Sequence, residues 1–456
     1  MVSIVARIRA ETAAWSPWFK WFLIALFALY LIAWVGTICL SQVQVAEGIT
    51  PLLPDAPEDP HEYAVLAESL LSGNGFANAT GLETLRTPGY PVFLAAAKGV
   101  AGTFFESTLI QVLLVFAAAI LTRKIGERFA GKTAAEIAAI LLLANPVTLT
   151  LSLMLYSDTL FLFLWLLGFY LAATMENGRF AYRAAFVAII FGAATYVRPI
   201  GFFALPVFAA PFLISRLSTA HKLKALGILI CGLAVLLSPW AFRNYEQTGW
   251  FNFSSVQSFN LLWAVSHFDA AQKNISVDDE YARLTLILGA PPDEWRNLRL
   301  ASEENALSRT MLAGNVLAYA RWHVLSTVPF LFPSTIDFAV NAYTTALNVR
   351  PLYAPGISQI LASGNWKEFI LKALSQTGWK IAERLLWLAL LVLAALGFFF
   401  RRRELWVWAF ACIVLYLMLL CGPAAGPRYA LQAWPFFFVL FAAGMTRLYE
   451  LRPQRA

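Results

Sequence analysis

Ten stretches of the chain are nearly free of polar residues: 19–40, 107–121, 134–149, 156–174, 184–197, 199–215, 225–241, 385–400, 405–421 and 429–446. Apolar residues there run continuously and do not alternate with polar ones, so neither a half-buried strand nor a one-faced surface helix is indicated. A helix of about 20 residues crosses a bilayer. The pattern therefore predicts an all-α polytopic membrane protein with about ten transmembrane helices. Residues 1–456 read as one transmembrane domain. Polar sequence gathers in two long connections, 42–106 and 242–380. Within the second, His323–Asn348 is apolar again. It is expected to lie on the membrane or to re-enter it from the outer side, because an eleventh span would carry Arg401–Arg403 outward.

Composition sharpens this. Hydrophobic residues make up 59% and charged residues 13%, against about 45–50% and 25% in soluble domains. Soluble, disordered and disulfide-scaffold classes are excluded. The net charge of +7 would suggest nucleic acid in a soluble protein; here the excess of cations in cytoplasmic loops explains it. With ten spans both termini share a side. Placing them in the cytoplasm puts seventeen basic residues inside, among them Arg123, Lys124, Arg128 and Arg401–Arg403. Four fall on the outer side when 242–380 is set aside: Arg86, Lys98, Arg198 and Arg428. The first apolar run is too long for a cleavable signal. Cys39, Cys231, Cys412 and Cys421 form no CxxC pair, and His61, His221, His267 and His323 no metal-ligand spacing. The sequence neither requires nor excludes a divalent metal. Gly126-Glu-Arg-Phe-Ala-Gly-Lys-Thr133 matches a phosphate-loop pattern, but such a loop needs a preceding strand and an α/β domain, and its flanks here are membrane helices.

Candidate chemistry lies on the outer side. Region 42–106 holds eight acidic and two basic residues. Asp59-Pro-His-Glu62-Tyr63 starts an apolar-faced segment. Asp59 suits an N-cap, Pro60 the first helical position and Glu62 a capping box. Asp59 is also an outer-loop carboxylate of the type a general base requires. Arg86-Thr-Pro-Gly-Tyr90-Pro91 fixes a turn before the next apolar stretch; its arginine suits an ion pair or a phosphate. Asp158 opens a span as an N-cap or as a site residue. Arg198-Pro199 interrupts an apolar stretch whose halves are each too short to cross a bilayer, so Arg198 should sit below the outer surface and need a partner or a wet cavity. Arg243, in Pro239-Trp-Ala-Phe-Arg-Asn-Tyr245, and Arg428, in Gly426-Pro-Arg-Tyr429, are cations where the charge bias disfavours them.

This ordered set resembles the GT-C superfamily of integral-membrane glycosyltransferases, near the aminoarabinose transferases of lipid A and the protein O-mannosyltransferases. The resemblance covers about 20–430. It implies a GT-C fold in the plasma (inner) membrane, with an active site facing the periplasm or exterior. It implies an inverting enzyme that moves a sugar from a polyprenyl-phosphate donor to a lipid A, polysaccharide, glycolipid or protein acceptor, in the manner of cell-envelope glycosylation, with no nucleic-acid partner. Asp59 would then be the base and Asp158 a second catalytic-site acid that orients the acceptor or a metal. Tyr63, Arg86, Tyr90, Arg198, Arg243 and Arg428 would bind substrate. Two features depart from the family: Pro60 follows Asp59 where two adjacent acids are common, and the C-terminal region is short. A glycolipid flippase or a polysaccharide polymerase or ligase fits the same topology, although a transporter would place polar residues within many spans.

Overall fold

The computed structural model describes residues 12–46, 59–78, 81–346, 367, 378–424 and 426–451. The described residues are mostly helical. Helix α1 (Pro17–Ala46) is followed by α2 (Asp59–Leu71), a short antiparallel hairpin of β1 (Ala77–Asn78) and β2 (Gly81–Leu82), and α3 (Gly89–Ala101). Then come α4 (Phe105–Ala130), α5 (Lys132–Ala144), α6 (Pro146–Leu153), α7 (Asp158–Ala173), α8 (Phe180–Val197), α9 (Ile200–Phe203), α10 (Leu205–Ile214) and α11 (Thr219–Thr248). The second long connection folds as α12 (Val256–Lys273), α13 (Val277–Leu288), α14 (Ala301–Leu312), α15 (Val316–Ser326), α16 (Val328–Leu331) and α17 (Thr335–Ala346). The chain closes with α18 (Gly378–Arg401), α19 (Leu405–Cys421), α20 (Pro427–Ala430) and α21 (Trp434–Glu450).

Each of the ten predicted runs falls on helix. Among the described residues, α1, α4, α8, α11, α18 and α19 are each long and apolar enough to cross a membrane. The pair α5 and α6, bent by 56°, fits a broken span or a re-entrant loop; with it and the bent segment 316–344 counted, the described residues give six to eight spans by length and composition, fewer than the ten the sequence predicts. The bend follows from Asn145-Pro146: proline cannot continue the helical hydrogen bonding, and Asn145 caps the new helix by accepting from the Val147 amide at 2.9 Å. Helices α7 and α10 are apolar but short, at 16 and 10 residues. Chain segments expected on one face of the membrane meet one another. Asn177 accepts from the Ser218 amide at 2.9 Å, while at the other end Trp34 donates to Thr108 at 3.0 Å and Tyr416 to the Phe203 carbonyl at 2.5 Å.

Packing between spans relies on close backbone approach. Gly397 and Gly444 face each other across α18 and α21. A Cβ added at Gly397 would lie 2.0 Å from the Leu440 carbonyl oxygen, and one at Gly444 2.0 Å from that of Leu393. Small residues allow such contact where lipid supplies no hydrophobic force between helices. The apolar segment 316–344 is a helical pair bent by 85°, a shape that fits a broken span as well as a segment re-entering the membrane. Its turn is held from α18: Glu383 accepts from the Thr335 amide at 2.7 Å, and Arg384 donates to Phe332 and Ser334. Residues 126–133 form no phosphate cradle. The helix runs through to Ala130, Gly131 turns at φ +91°, and α5 starts at Lys132.

Helices α12 to α14 make a small cap with its own core of Leu262, Leu284, Ala290 and Trp295. Local signals set the ends of α13. The Ser276 hydroxyl accepts from the Asp279 amide at 3.0 Å, Asp278–Glu280 complement the helix dipole, and Gly289 closes it at φ +67°.

Candidate active site

The Arg86 motif is placed by a buried carboxylate. Glu83 accepts from the amides of Leu85 at 2.6 Å and Arg86 at 2.9 Å, and from the Asn78 side chain at 2.9 Å. The turn is tied to the cap as well. The Ser255 amide donates to the Thr84 carbonyl at 2.9 Å, the Leu298 amide to the Thr84 hydroxyl at 3.0 Å, and the Ser254 hydroxyl to the Leu85 carbonyl at 2.6 Å. Gly89 then packs on the end of α8, where an added Cβ would come within 2.6 Å of the Tyr196 carbonyl carbon. Only glycine permits that approach, which puts Arg86 and Arg198 beside one cavity.

That cavity has a volume of about 760 Å³. Of the residues singled out in the sequence, Tyr63, Arg86, Arg198 and Arg428 line it, together with Glu62 and Arg296. One wall, formed by Ile200, Phe203, Leu420 and Cys421, continues from the membrane helices; the other belongs to the cap. Four guanidinium groups from four distant parts of the chain thus share one space.

Asp158 lies behind this wall, with none of its surface exposed. It pairs with Arg198, accepts from Arg428 Nε at 2.9 Å and from the Gln432 amide at 3.3 Å. One carboxylate therefore positions two of the four arginines. Arg428 also lies 4.4 Å over the Tyr156 ring, and Arg198 5.6 Å over that of Tyr429. Glu62 performs the same task for the other two. It accepts from Arg86 Nε at 2.7 Å and from both terminal nitrogens of Arg296, at 2.5 and 2.6 Å. The capping contact expected of Glu62 involves residues outside the described ones; what the structure shows is its charge-assisted pairing with two guanidinium groups. Burial opposes ionisation of Glu62, but the guanidiniums of Arg296 and Arg86 outweigh it and hold its carboxyl below the ordinary range.

The remaining sequence candidates are distributed around the cavity. Tyr63 contacts Ser157 at 3.2 Å through its hydroxyl and lies under Arg86, whose guanidinium is 5.2 Å from its ring centre. Tyr90 is fully buried behind Tyr63, edge to face at 4.9 Å, and donates to Gln111 at 2.6 Å; it supports the wall and is not on it. Arg243 lies elsewhere. It donates to the carbonyls of Glu83 at 3.0 Å and Phe76 at 3.1 Å and sits 4.7 Å over Trp240, fastening the hairpin to α11. Helix α2 begins at Asp59, but the Asp59 side chain lies outside the described residues, as do Asp55 and Glu58. Among the described residues no three His, Cys, Asp or Glu side chains gather as a metal site would require.

Arg296 went unnoticed in the sequence. It sits in the charge-balanced stretch 242–380, where one more arginine carries no signal until the cap folds over α2.

No family model and no curated protein matches the chain. Among solved structures it is similar to two crystal structures of ArnT from Cupriavidus metallidurans. One is bound to undecaprenyl phosphate, with 13% identity over 93% of this chain and 77% of that one; the other is in the apo state, with 12% identity over 94% and 77%. The TM-score is 0.40 in both. At that score the likeness is too distant to assign an activity.

Proposed function

We propose that the chain is a GT-C-type inverting glycosyltransferase that takes a sugar from a polyprenyl-phosphate donor in the membrane. The observation that carries this reading is the convergence of Arg86, Arg198, Arg296 and Arg428 on one cavity between apolar spans and a polar cap. An amphipathic phosphate leaving group needs such a place. Its prenyl chain lies along the Ile200–Phe203–Leu420 wall, and its phosphate meets guanidinium forks that form paired hydrogen bonds with anionic oxygens.

The reaction is a single displacement. A carboxylate, for which Asp59 is the candidate, takes the proton of an acceptor hydroxyl. The acceptor oxygen attacks the anomeric carbon as the bond from that carbon to the phosphate oxygen breaks, and its electron pair leaves with the polyprenyl phosphate. Configuration inverts, and the products are a glycoside, the lipid phosphate and a protonated base. Cations preorganised at the leaving oxygens stabilise the charge that develops there. Asp158 and Glu62 hold those cations, so in this reading Asp158 positions the arginines and does not move the proton. In this reading the charge bias of the loops favours cytoplasmic termini and a cavity on the outer side of the plasma (inner) membrane.

Purified protein in nanodiscs is supplied with a polyprenyl-phosphate monosaccharide together with a cell-envelope extract that offers glycan, lipid and protein hydroxyls as acceptors, and release of polyprenyl phosphate is followed. Turnover is expected, and it should fall on the order of 10²–10⁴-fold in Asp59→Asn, which still caps a helix but cannot accept a proton. Absence of donor cleavage by the wild type overturns the reading. Normal turnover by Asp59→Asn removes Asp59 as the base.

A further inference from the structure

The wall of the cavity that faces away from the membrane differs chemically from the arginine side. Helix α12 presents Val256, Gln257, Asn260 and Trp263 to the cavity, at the spacing of one helical face. Gln257 and Asn260 are exposed, and Trp263 is half-buried. Tyr281 and Asp293 line the same region from α13 and the turn after it. We propose that this wall is the acceptor subsite and that the acceptor is a saccharide; this rests on the glycosyltransferase reading and specifies its second substrate.

A sugar ring has an apolar C–H face and an edge of hydroxyls. A site for it needs a flat aromatic surface flanked by short side chains that both donate and accept hydrogen bonds. Trp263 supplies the surface, Asn260 and Gln257 the amides, and Asp293 a carboxylate acceptor. The platform is rigid. His267 lies against the Trp263 ring, 4.3 Å between ring centres, and its Nδ1 is 2.8 Å from the Trp263 carbonyl. Tyr281 is braced edge-on by Trp295 at 5.5 Å, and Trp295 is fixed by its own bond to the Ala290 carbonyl at 2.8 Å. On the cap side the apolar residues Val256, Phe259, Pro292 and Trp295 are interrupted by Gln257, Asn260 and Asp293, a mixed surface that suits a sugar better than the continuous apolar wall an acyl acceptor would call for. The ion pair between Glu62 and Arg296 links the cap wall to the donor side, so a sugar held on Trp263 would be tied in position to the leaving group.

The test uses full-length protein in nanodiscs with a polyprenyl-phosphate monosaccharide and two acceptor probes: fluorescently labelled oligosaccharides from a cell-envelope glycan digest, and a Ser/Thr-rich peptide library. Transfer to oligosaccharide is expected. Trp263→Ala should raise the acceptor KM about tenfold or more and weaken oligosaccharide binding measured without donor, while Trp263→Phe, which keeps a ring, should restore most of both. If Trp263→Ala does not fold by its melting curve, Asn260→Ala and Gln257→Ala on the exposed face serve instead, each expected to raise KM severalfold. Transfer to peptide and not to oligosaccharide overturns the proposal, as does an unchanged KM in these variants. Donor cleavage in water by the wild type, measured in parallel, tells the two failures apart: with cleavage intact only the acceptor assignment falls, and without it the glycosyltransferase reading falls too.

Discussion

Asp158 holds two cations that the reading above assigns to the leaving group, and its removal can be worked through in energy. The carboxylate is fully buried and pairs with Arg198 and with Arg428, whose Nε lies at 2.9 Å. At that separation a unit-charge pair attracts by roughly 6 kcal/mol for an effective dielectric constant of about 20. The cost of taking both ions out of water cancels much of this, and breaking a buried pair from one side typically costs about 3–5 kcal/mol. Asp158→Asn keeps an oxygen that can accept from one guanidinium but leaves the two cations without a carboxylate between them. It is expected near 3 kcal/mol, and Asp158→Ala nearer 5. In a protein of this size that should lower the melting temperature by roughly 6 °C for Asn, since each kcal/mol moves larger domains by about 2 °C. The assay is thermal unfolding of the purified protein in detergent, with a double-mutant cycle of Asp158→Asn against Arg428→Gln to isolate the pair. An Asn variant that melts with the wild type, together with coupling below about 0.5 kcal/mol, refutes the positioning role.

Glu304 is buried on α14, where loss of hydration pushes its carboxyl from 4.5 to about 8. It is ionised in the unfolded chain but protonated in the folded one across that interval, so its contribution to stability is full below pH 4.5 and declines as pH rises to about 8. Glu304→Gln should remove that slope and melt higher than the wild type at pH 8; parallel stability–pH curves would contradict this. Gly444→Ala should destabilise by about 1–3 kcal/mol or more through overpacking against Leu393, whereas Gly227→Ala, with nothing within 4 Å, should not; equal melting temperatures would count against the close α18–α21 crossing. A cysteine at Asn305, on α14, should react with a membrane-impermeant thiol reagent added outside intact cells, and labelling only from the cytoplasmic face would invert the topology.

What the sequence determined by itself was where helices lie and which of their ends belong together. Helices are written in uninterrupted apolar runs, because lipid admits no unpaired backbone, and the placement of lysine and arginine sets the expected sidedness. Arg198 was legible for a related reason: a lone cation in an apolar stretch demands a partner. The sequence could also mark Tyr63, Arg86 and Arg428 as unusual, and all three line the cavity with Arg198. Tertiary structure alone decided which carboxylate meets which cation. Asp158 and Arg428 are 270 positions apart, and Glu62 and Arg296 are 234. No local pattern encodes such pairs, since they form only after spans and cap have packed. For the same reason Arg243 and Arg86 looked alike in sequence, as arginines in aromatic- and proline-rich turns, and yet one fastens backbone carbonyls while the other lines the cavity. An arginine's role depends on which oxygens the fold brings within 3 Å, and that distance belongs to packing between elements far apart in the chain.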